Sequence, residues 1–373
     1  MMIRNIKILF LVLAVTLVGS CELDLLDNPN AVTVNNADVN FILNRIELAY
    51  SGNFNAFSDP GMRLTRMLNQ GAAIYDNAVT PGNNGPWNSS YSDIMSDVKA
   101  LIPLAEASEL FVHAGIARTV RAMVLMNLVD AYGDVPYSQA IDPNNFNPGV
   151  DKGADVYAAA LADLNKAAEN FAAKSKSGAS GDLFYAGNTD SWIRLVNSLK
   201  LKYHLNLRLV NKAGSTSAIG ALVTENKLIS TAAQNFQFKY GTNLTNPDTR
   251  HPRYGGQYSP TGGGDYQSNS YMGQLYNSKG FPDPRVRYYF YRQTIKNPTD
   301  VNQLRCITNQ KPSHYGANDV YCLPTNVGYW GRDHLNNEGI PPDGLLRTAW
   351  GLYPAGGLYD DDAGKGVSLG AGA

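Results

Sequence analysis

The feature of this sequence that most constrains its fold is a series of stretches in which apolar residues recur every three or four positions. Such spacing puts the apolar side chains on one side of a helix, and that side has to be buried against another element. Short connections between the stretches favour antiparallel packing of neighbouring helices. The sequence therefore predicts a mainly α fold of tetratricopeptide-like helix pairs, an α-solenoid, over residues 38–235. Asp38 is the predicted cap of the first stretch, Gly133 the predicted stop of the third, and Asp190 the predicted cap of the last. In chain order the stretches are 38–51, 91–102, 116–128, 156–171 and a long one from 190 to 210.

The character of the sequence changes after about residue 236. Glycine, proline, asparagine and tyrosine dominate residues 241–266, a short helix fits 269–279 and a strand fits 286–292. We expect residues 236–373 to form an irregular, aromatic-rich region with a few short strands. Because loops held by a rigid scaffold commonly carry binding residues, this region is predicted to be the ligand side of a single domain that spans 38–373.

The N-terminus has the order of a lipoprotein export signal. Arg4 and Lys7 give a positive start, and a Val-Gly-Ser tripeptide precedes Cys21. The apolar run between them has about 11 residues, fewer than the roughly 20 that a membrane-spanning helix needs. Small residues directly before a cysteine form a lipoprotein signal peptidase site, which predicts a signal peptide at 1–20, an acylated Cys21 and a lipid-anchored tether over 21–37. A cleaved signal with an unmodified Cys21 is the alternative.

Charge and composition exclude several classes of function. Removing residues 1–20 deletes Arg4 and Lys7 and changes the formal net charge from −1 to −3. A chain so close to neutral lacks the basic surface that a phosphate backbone requires, so nucleic acid is not an expected partner. The five histidines are scattered, and the carboxylates fall into no catalytic motif. We therefore expect a binding protein, not an enzyme, without metal ion or cofactor; a surface hydrolase is the weakest alternative.

The two remaining cysteines, Cys306 and Cys322, are predicted to form a disulfide. An exported chain meets an oxidising environment, and the pair would close a loop of about 15 residues, worth roughly 3 kcal/mol in the chain-entropy model. Two unpaired, buried thiols are the alternative. A metal site is poorly supported, because neither cysteine lies in a C-x-x-C motif and His314 is the only imidazole between them.

The segment with the strongest character in the body of the chain is DAYGDVPYSQA at 130–140. Gly133 can end the preceding helix in a left-handed conformation, and Pro136 keeps Val135 extended. Asp134 can accept hydrogen bonds from backbone N–H groups in the turn. These properties predict a structural corner, with direct ligand contact as the lesser alternative.

Together with the lipoprotein signal, this corner resembles the SusD/RagB-like outer-membrane lipoproteins of Bacteroidota, whose motif it matches as D-x-Y-G-D-V-P-Y-S-x-A. The order and spacing of several motifs make the resemblance specific, and it extends over residues 18–370. The further matches are Trp87 with Tyr91 as W-x-x-x-Y, residues 182–200 as D-x-x-Y-x-G followed by W-x-x-x-x-N-S-L-K, residues 283–286 as a D-P-R turn, and residues 328–333 in a later loop region.

The resemblance implies a surface-exposed, lipid-anchored binding protein of the outer membrane. Proteins of this family sit as a lid on a SusC-like TonB-dependent β-barrel transporter and capture oligosaccharides or peptides for import. A structural or assembly subunit of a surface complex, which binds no nutrient, is the alternative. Family members usually continue into further helices beyond the region that corresponds to 350–357, so the chain is expected to lack the terminal helices of the family.

Aromatic residues with polar neighbours are the candidate ligand contacts, because Tyr and Trp combine a flat apolar face with a polar edge. Each of them alone is more readily explained by packing. Trp192, among residues at core spacing, is predicted to be packing only. The candidates are Trp87 with Asn83 and Asn84, Tyr329 and Trp330 with Arg332, and the single residues Tyr75 and Tyr266.

The N-terminal signal gives a direct prediction. We expect the mature protein to begin at Cys21 and to carry acyl chains on that residue, and we expect Cys21→Ser to retain the signal peptide and take up no fatty acid. Mass spectrometry of the intact protein from membranes measures both. A mature wild-type chain with an unacylated residue 21 would contradict the prediction.

Overall fold

A computed structural model of the protein describes residues 38–69, 84–253, 267–276, 278–281, 283–285, 313, 316–317 and 333–335. The regular elements in this part of the chain are helices. In chain order they are α1 (Val39–Leu64), α2 (Gly85–Asn88), a π-helical segment (Ser89–Met95), α3 (Ser96–Ala107), α4 (Phe111–Tyr132), α5 (Gly153–Ala172), α6 (Thr189–Asn206), α7 (Lys212–Glu225) and α8 (Asn269–Tyr276), with 3₁₀ turns at Leu207–Leu209 and Ala232–Gln234.

Successive helices pack side by side along the chain. α3 packs on α4, α4 on α5, α5 on α6 and α6 on α7, while α1 lies against α3, α4 and the π-helical segment. The predicted mainly α fold with tetratricopeptide-like helix pairs is thereby confirmed. In the described residues, extended pairing is confined to two isolated antiparallel bridges, Leu68 with Gln267 and Val135 with Asp151. The strand predicted at 286–292 lies outside the described residues.

α4 is the central helix of the core. A helix that is apolar on one side needs one neighbour, whereas a helix that is apolar all round has to be enclosed. α4 is of the second kind, because α1, α3 and α5 all contact it. At Gly115 a Cβ atom would lie 2.8 Å from the ring of Phe171, so α5 approaches too closely for any side chain there. The buried residues of α4 are Val112, His113, Ala114, Gly115, Ile116, Ala117, Thr119, Val120, Ala122, Met123, Val124, Leu125, Met126 and Leu128.

An ion-pair group joins α4 to α5 beside this apolar contact. Arg121 donates two hydrogen bonds to Asp163, at 2.7 and 2.6 Å. The carboxylate of Asp163 is buried, and a two-bond guanidinium–carboxylate contact is the geometry that best compensates its loss of water. Arg118 adds a 2.8 Å contact to Glu106 of α3. The ion pair between Arg121 and Asp163 therefore fixes the rotation of α5 about α4.

α1 is longer than the sequence predicts. Asp38 caps it as expected, since its side chain accepts a hydrogen bond from the Asn40 N–H at 2.8 Å. The helix then continues beyond residue 51, through Pro60, to Leu64. Helix length here is decided by tertiary contact, because Asn53 is buried against α2 and the π-helical segment.

The start of α6 also differs from the prediction. The cap is Asn188, whose side chain accepts a hydrogen bond from the Ser191 N–H at 2.9 Å. Asp190 lies inside the first turn and pairs instead with Arg194 at 2.9 Å. The helix ends at Asn206, before the 3₁₀ turn Leu207–Leu209. Trp192 is fully buried, as the packing interpretation requires.

The corner at 130–140 has the predicted structural role. α4 ends at Gly133, which has a φ of +78°, and Val135 is fully buried. The carboxylate of Asp134 accepts hydrogen bonds from the Gly153 N–H at 2.8 Å and from Lys152 Nζ at 2.9 Å. Because these groups belong to the first turn of α5, the corner determines where α5 begins.

Glu47 is a carboxyl group with no exposed surface on the inner side of α1. Its Oε2 accepts a hydrogen bond from the Leu183 N–H at 2.9 Å. Asp182, next to it, accepts hydrogen bonds from the Gly187 N–H at 2.9 Å and from the indole N–H of Trp192 at 2.7 Å. Burial, with a smaller contribution from Asp182, raises the pKa of Glu47 to about 9. Glu47 is therefore a neutral acid at neutral pH.

Replacing Glu47 with Gln should remove a pH dependence of stability. The pKa of Glu47 is higher in the folded chain than the ordinary 4.5, so unfolding releases a proton at pH values between 4.5 and about 9. Glu47 makes its whole contribution to the free energy of unfolding below pH 4.5, and this contribution is lost as the pH rises toward about 9. We expect the free energy of unfolding of Glu47→Gln, measured with urea, to fall less than that of the wild type between about pH 5 and about pH 8.

Glu109→Gln is the matched control, because the side chain of Glu109 is exposed. The free energy of unfolding of Glu109→Gln should depend on pH as that of the wild type does. A Glu47→Gln protein whose stability still falls as steeply as that of the wild type would show that Glu47 is ionised in the fold.

Candidate functional site

The structure describes two of the predicted ligand contacts, Trp87 and Asn84. The other predicted site residues lie outside the described residues and stay predictions: Tyr75, Asn83, Tyr266, Tyr329, Trp330 and Arg332 as ligand contacts, Cys21 as the lipid site, and Cys306 with Cys322 as the disulfide.

Trp87 lies in the short helix α2, which continues into the π-helical segment and then into α3. Pro86 is in the first turn of α2, where its missing N–H removes no helical hydrogen bond. Asn53 of α1 holds this turn by donating through Nδ2 to Pro86 O at 3.1 Å and to Ser90 Oγ at 3.0 Å. A π-helical turn directly after Trp87 is a local irregularity of the kind common at functional sites.

Four aromatic side chains, Phe57, Trp87, Tyr91 and Tyr132, form a group at the surface that we call the aromatic cluster. Trp87 packs on Tyr91, with ring centroids 4.8 Å apart, and edge-on against Tyr132 at 5.3 Å. Phe57 contacts Tyr132 on its other side at 6.2 Å. Trp87 and Phe57 are half-buried and Tyr132 is 44% exposed. Part of this aromatic surface therefore faces solvent while the rest is packed.

The hydroxyl of Tyr91 joins the cluster to the corner. It donates a hydrogen bond to Pro136 O at 2.7 Å. Burial, and then the carboxylate of Asp151, raises the pKa of Tyr91, so the phenol stays protonated at physiological pH. Burial raises the pKa of Tyr132 as well. The cluster is thus uncharged across the physiological range, and a ligand bound there would meet a neutral surface.

Two amide side chains flank Trp87. Asn84 and Asn88 are exposed, and together with Trp87 and Tyr91 they occupy one side of the helix, at spacings of three and four residues. Asn84 occupies the cap position of α2 but makes no side-chain capping bond. Among the described residues, neither amide nor the indole N–H of Trp87 has a hydrogen-bond partner. An apolar ring with free donors and acceptors on both sides suits a ligand with C–H faces and hydroxyl or amide groups.

Asn69, Gln267 and Asp333 lie together beside the last turn of α1. Each of them is next to a segment that carries other predicted contacts. Leu68 pairs with Gln267 in an antiparallel bridge, and Asn69 Nδ2 donates to Asp333 O at 2.5 Å. Asn269 Nδ2 donates to Asp333 Oδ1 at 2.9 Å. Tyr266 directly precedes Gln267, Arg332 directly precedes Asp333, and Tyr75 follows Asn69 by 75 − 69 = 6 positions. The structure brings these ends together, which is the condition for the segments to share a ligand.

Ionic contacts fix the same place to α1. Arg63 and Arg253 both donate to the carboxylate of Asp59, and Arg253 Nε also donates to Asn55 Oδ1 at 3.3 Å. Burial alone would raise the pKa of Asp59, but the hydrogen bonds from Arg253 and Arg63 outweigh it and lower the pKa below its ordinary value. Asp59 therefore remains ionised and holds both guanidinium groups.

Sequence reasoning missed three residues of the aromatic cluster and its surroundings. Asn88 could have been found, because it completes a helical side with Asn84 and Trp87. Tyr132 lies 45 positions from Trp87 (132 − 87), and Phe57 lies in the part of α1 that the sequence did not predict as helix. No local pattern indicates either of these long-range contacts.

Across the described ranges, no three His, Cys, Asp or Glu side chains are grouped so that they could bind a metal ion. None of the helices in this part of the chain has an apolar stretch long enough to span a bilayer.

Residues 29–317 match a SusD-like family described as starch-binding and associating with the outer membrane. A SusD/RagB family protein from Bacteroides thetaiotaomicron is similar in structure, with a TM-score of 0.60 and 20% identity over 84% of this chain and 61% of that one. A chitin-binding protein is similar with a TM-score of 0.61 and 19% identity, over 84% and 64%. A SusD homolog from Bacteroides fragilis has a TM-score of 0.55 and 25% identity, over 69% and 53%.

These likenesses establish a shared fold. The chain spans about 61% of the length of the first of these relatives. No curated protein matched the sequence.

The contact between α1 and α2 leads to a prediction about the site. Asn53→Ala removes the buried donor that joins α1 to the turn before Trp87, so we expect it to lower the free energy of unfolding by about 1 kcal/mol. Urea denaturation measures the change. The matched control is Asn44→Ala in the same helix, because the Oδ1 of Asn44 is buried without a partner. Equal losses in the two variants would contradict the proposed anchoring by Asn53.

Proposed function

The chain belongs to the SusD-like family, described as starch-binding and associating with the outer membrane, and from this membership we propose that it is a binding lipoprotein that captures oligosaccharides or peptides at the cell surface. The proposed cargo is a neutral oligosaccharide first and a peptide second. It is held at the aromatic cluster, with Trp87 as the stacking surface and Asn84 and Asn88 as hydrogen-bonding partners on either side.

The observation that carries this proposal is the combination of exposure and unused hydrogen-bonding groups around Trp87. If Trp87 served only for packing, the exposed amides of Asn84 and Asn88, one helical turn apart and with free donors and acceptors, would have no role. Sugar rings present C–H groups on their faces and hydroxyl groups around their edges, so a half-exposed indole between two amides is complementary to both. The absence of charged side chains from the aromatic cluster itself favours a neutral ligand over an ionic one.

The finer steps of the proposal concern delivery. Cys21 carries the acyl chains, the tether over 21–37 reaches from the membrane, and the helical scaffold docks on a SusC-like TonB-dependent transporter that accepts the cargo. The lipoprotein signal and the family membership support this arrangement. The chain binds and passes on its ligand without chemistry of its own.

The predicted contacts outside the described residues have a place in this scheme. Tyr75, Tyr266 and Arg332 belong to segments whose ends meet beside the last turn of α1, and Phe57 of the aromatic cluster belongs to the same helix. We propose that Tyr329 and Trp330, with Arg332, contribute a further contact for the same ligand, and that Asn83 extends the amide side of Trp87.

Binding measurements on variants of Trp87 test the site. We expect Trp87→Ala to weaken the affinity for maltoheptaose or chitohexaose at least tenfold, which corresponds to about 1.4 kcal/mol, because the stacking surface is lost. Trp87→Phe keeps an aromatic face and should lose less. Asn88→Ala should weaken binding severalfold. Titration calorimetry on the purified chain measures each affinity.

Leu209→Ala is the matched control, because Leu209 is an apolar residue that is 86% exposed and lies outside the aromatic cluster. It should bind as the wild type does. Circular dichroism establishes that Trp87→Ala is folded, since this side chain also packs on Tyr91 and Tyr132.

Three outcomes would redirect the proposal. Unchanged affinity in a folded Trp87→Ala protein removes the aromatic cluster as the site. Binding of peptides but of neither saccharide makes peptide the cargo. Binding of neither class favours the assembly-subunit alternative.

A further inference from the structure

A second aromatic side chain is presented to solvent by the connection between α4 and α5. We call residues 136–150 the 136–150 loop; Phe146 in this loop is 95% exposed, more than any other large apolar side chain in the described residues. A phenyl ring fully exposed to water contributes nothing to the core and leaves its apolar surface hydrated. The proposed function does not use it.

The base of the 136–150 loop is closed by several hydrogen bonds. Val135 and Asp151 exchange backbone hydrogen bonds, at 3.2 and 3.0 Å. The carboxylate of Asp151 also accepts hydrogen bonds from the N–H groups of Tyr137 and Ser138, at 2.7 and 2.8 Å, and from Ser138 Oγ at 2.6 Å. The two ends of the loop are therefore fixed to each other and to the corner.

The tip of the loop is ordered by amide side chains. Gln139 Oε1 accepts hydrogen bonds from Asn145 Nδ2 at 3.3 Å and from the Gly149 N–H at 3.1 Å. Asn145 Oδ1 in turn accepts one from the Asn147 N–H at 3.2 Å. Phe146 lies between Asn145 and Asn147, so its backbone is held on both sides. The backbone that carries the ring therefore loses little conformational freedom when a ligand binds there.

The surroundings of Phe146 favour a sugar over a protein partner. Protein docking sites bury contiguous apolar patches, whereas the residues next to Phe146 are amides. Asn144 and Asn147 are exposed, and within the described residues the amide group of Asn147 has no hydrogen-bond partner. Asn144 Nδ2 donates to Asp142 Oδ1 at 3.4 Å, so one exposed ring beside one free amide repeats in part the arrangement of Asn84, Trp87 and Asn88, on a separate element.

We propose that Phe146, with Asn144 and Asn147, is a second contact for a neutral glycan, distinct from the aromatic cluster. The inference rests on the proposed function, because it assumes that the cargo is a glycan. Lys99, whose Nζ donates to Ile141 O, follows Tyr91 by eight residues on the same helical run, or about 12 Å. A glycan long enough to reach both contacts gains from the second one, so the second contact increases the affinity for long glycans and not for the shortest ones.

The experiment compares short and long probes on variants of the full mature chain. The short probes are maltose and chitobiose, and the long probes are soluble starch and glycol chitin. We expect Phe146→Ala to weaken binding of the long probe about fivefold or more while leaving the affinity for the matching short probe within about twofold of the wild type. Asn147→Ala should act in the same direction with a smaller effect. Val150→Ala is the matched control, because Val150 is a 65% exposed apolar residue of the same loop.

A gain-of-signal variant gives a second measurement. In a Trp87→Phe background, Phe146→Trp should show a larger change in fluorescence on addition of the long probe than the Trp87→Phe parent does, because the new indole then meets sugar directly. Phe146 is exposed, so none of these substitutions removes a core contact.

The outcomes separate this inference from the proposed function. A wild-type protein that binds no saccharide overturns the glycan cargo of the proposed function and the inference with it. Wild-type binding of both probes, with long-probe binding unchanged in Phe146→Ala and no response in Phe146→Trp, overturns the inference alone. Unchanged glycan binding in Phe146→Ala with loss of a co-purifying membrane protein assigns Phe146 to a protein contact and overturns the inference too.

Discussion

The enclosure of α4 by its neighbours is the packing constraint on which the rest of the structure depends. Because α1, α3 and α5 all contact α4, its position is fixed by apolar burial along most of its length. Its C-terminal end is then fixed too, and Tyr132, the last residue of α4, meets Trp87 from that end. The same end starts the corner, whose Asp134 sets the beginning of α5. The aromatic cluster and the 136–150 loop therefore derive their positions from one helix.

The sequence predicted the elements whose signals are local and missed those that depend on distant contacts. The corner was predicted correctly, since Gly133, Asp134 and Pro136 act through their own backbone chemistry. The extent of α1 was not, because the helix beyond residue 51 is stabilised by Asn53 against a segment more than 30 positions away. Asp190 was a reasonable cap by residue type, but Asn188 has the extended backbone and the free side-chain oxygen that capping needs. In the site, Trp87 and Asn84 were predicted from composition, whereas Tyr132 and Phe57 reach Trp87 only through the packing of α1 and α4.

The shared fold and the candidate contacts rest on different kinds of residue. The motifs through which this chain resembles the family contain Gly133, Asp182 and Trp192, which cap, turn or fill the core. Of the residues proposed to touch ligand, Asn84 and Asn88 are exposed and could change without loss of the fold, whereas Trp87 is half-buried. A relative at about 20% identity can therefore keep the scaffold and differ in its cargo. Under the proposed function, side chains at the surface and not the helices beneath would decide between an oligosaccharide and a peptide.

The bridge between Val135 and Asp151 has a mechanical consequence. It closes the base of the 136–150 loop, so a pull on the tip is carried across two antiparallel hydrogen bonds and the Asp151 carboxylate before it reaches α4 or α5. Trp87 packs on Tyr132 at the end of α4 and on Tyr91, whose hydroxyl is bonded to Pro136 O of the same loop. Tension in a long polymer attached at the loop would therefore be transmitted to the indole as well as to the two helices.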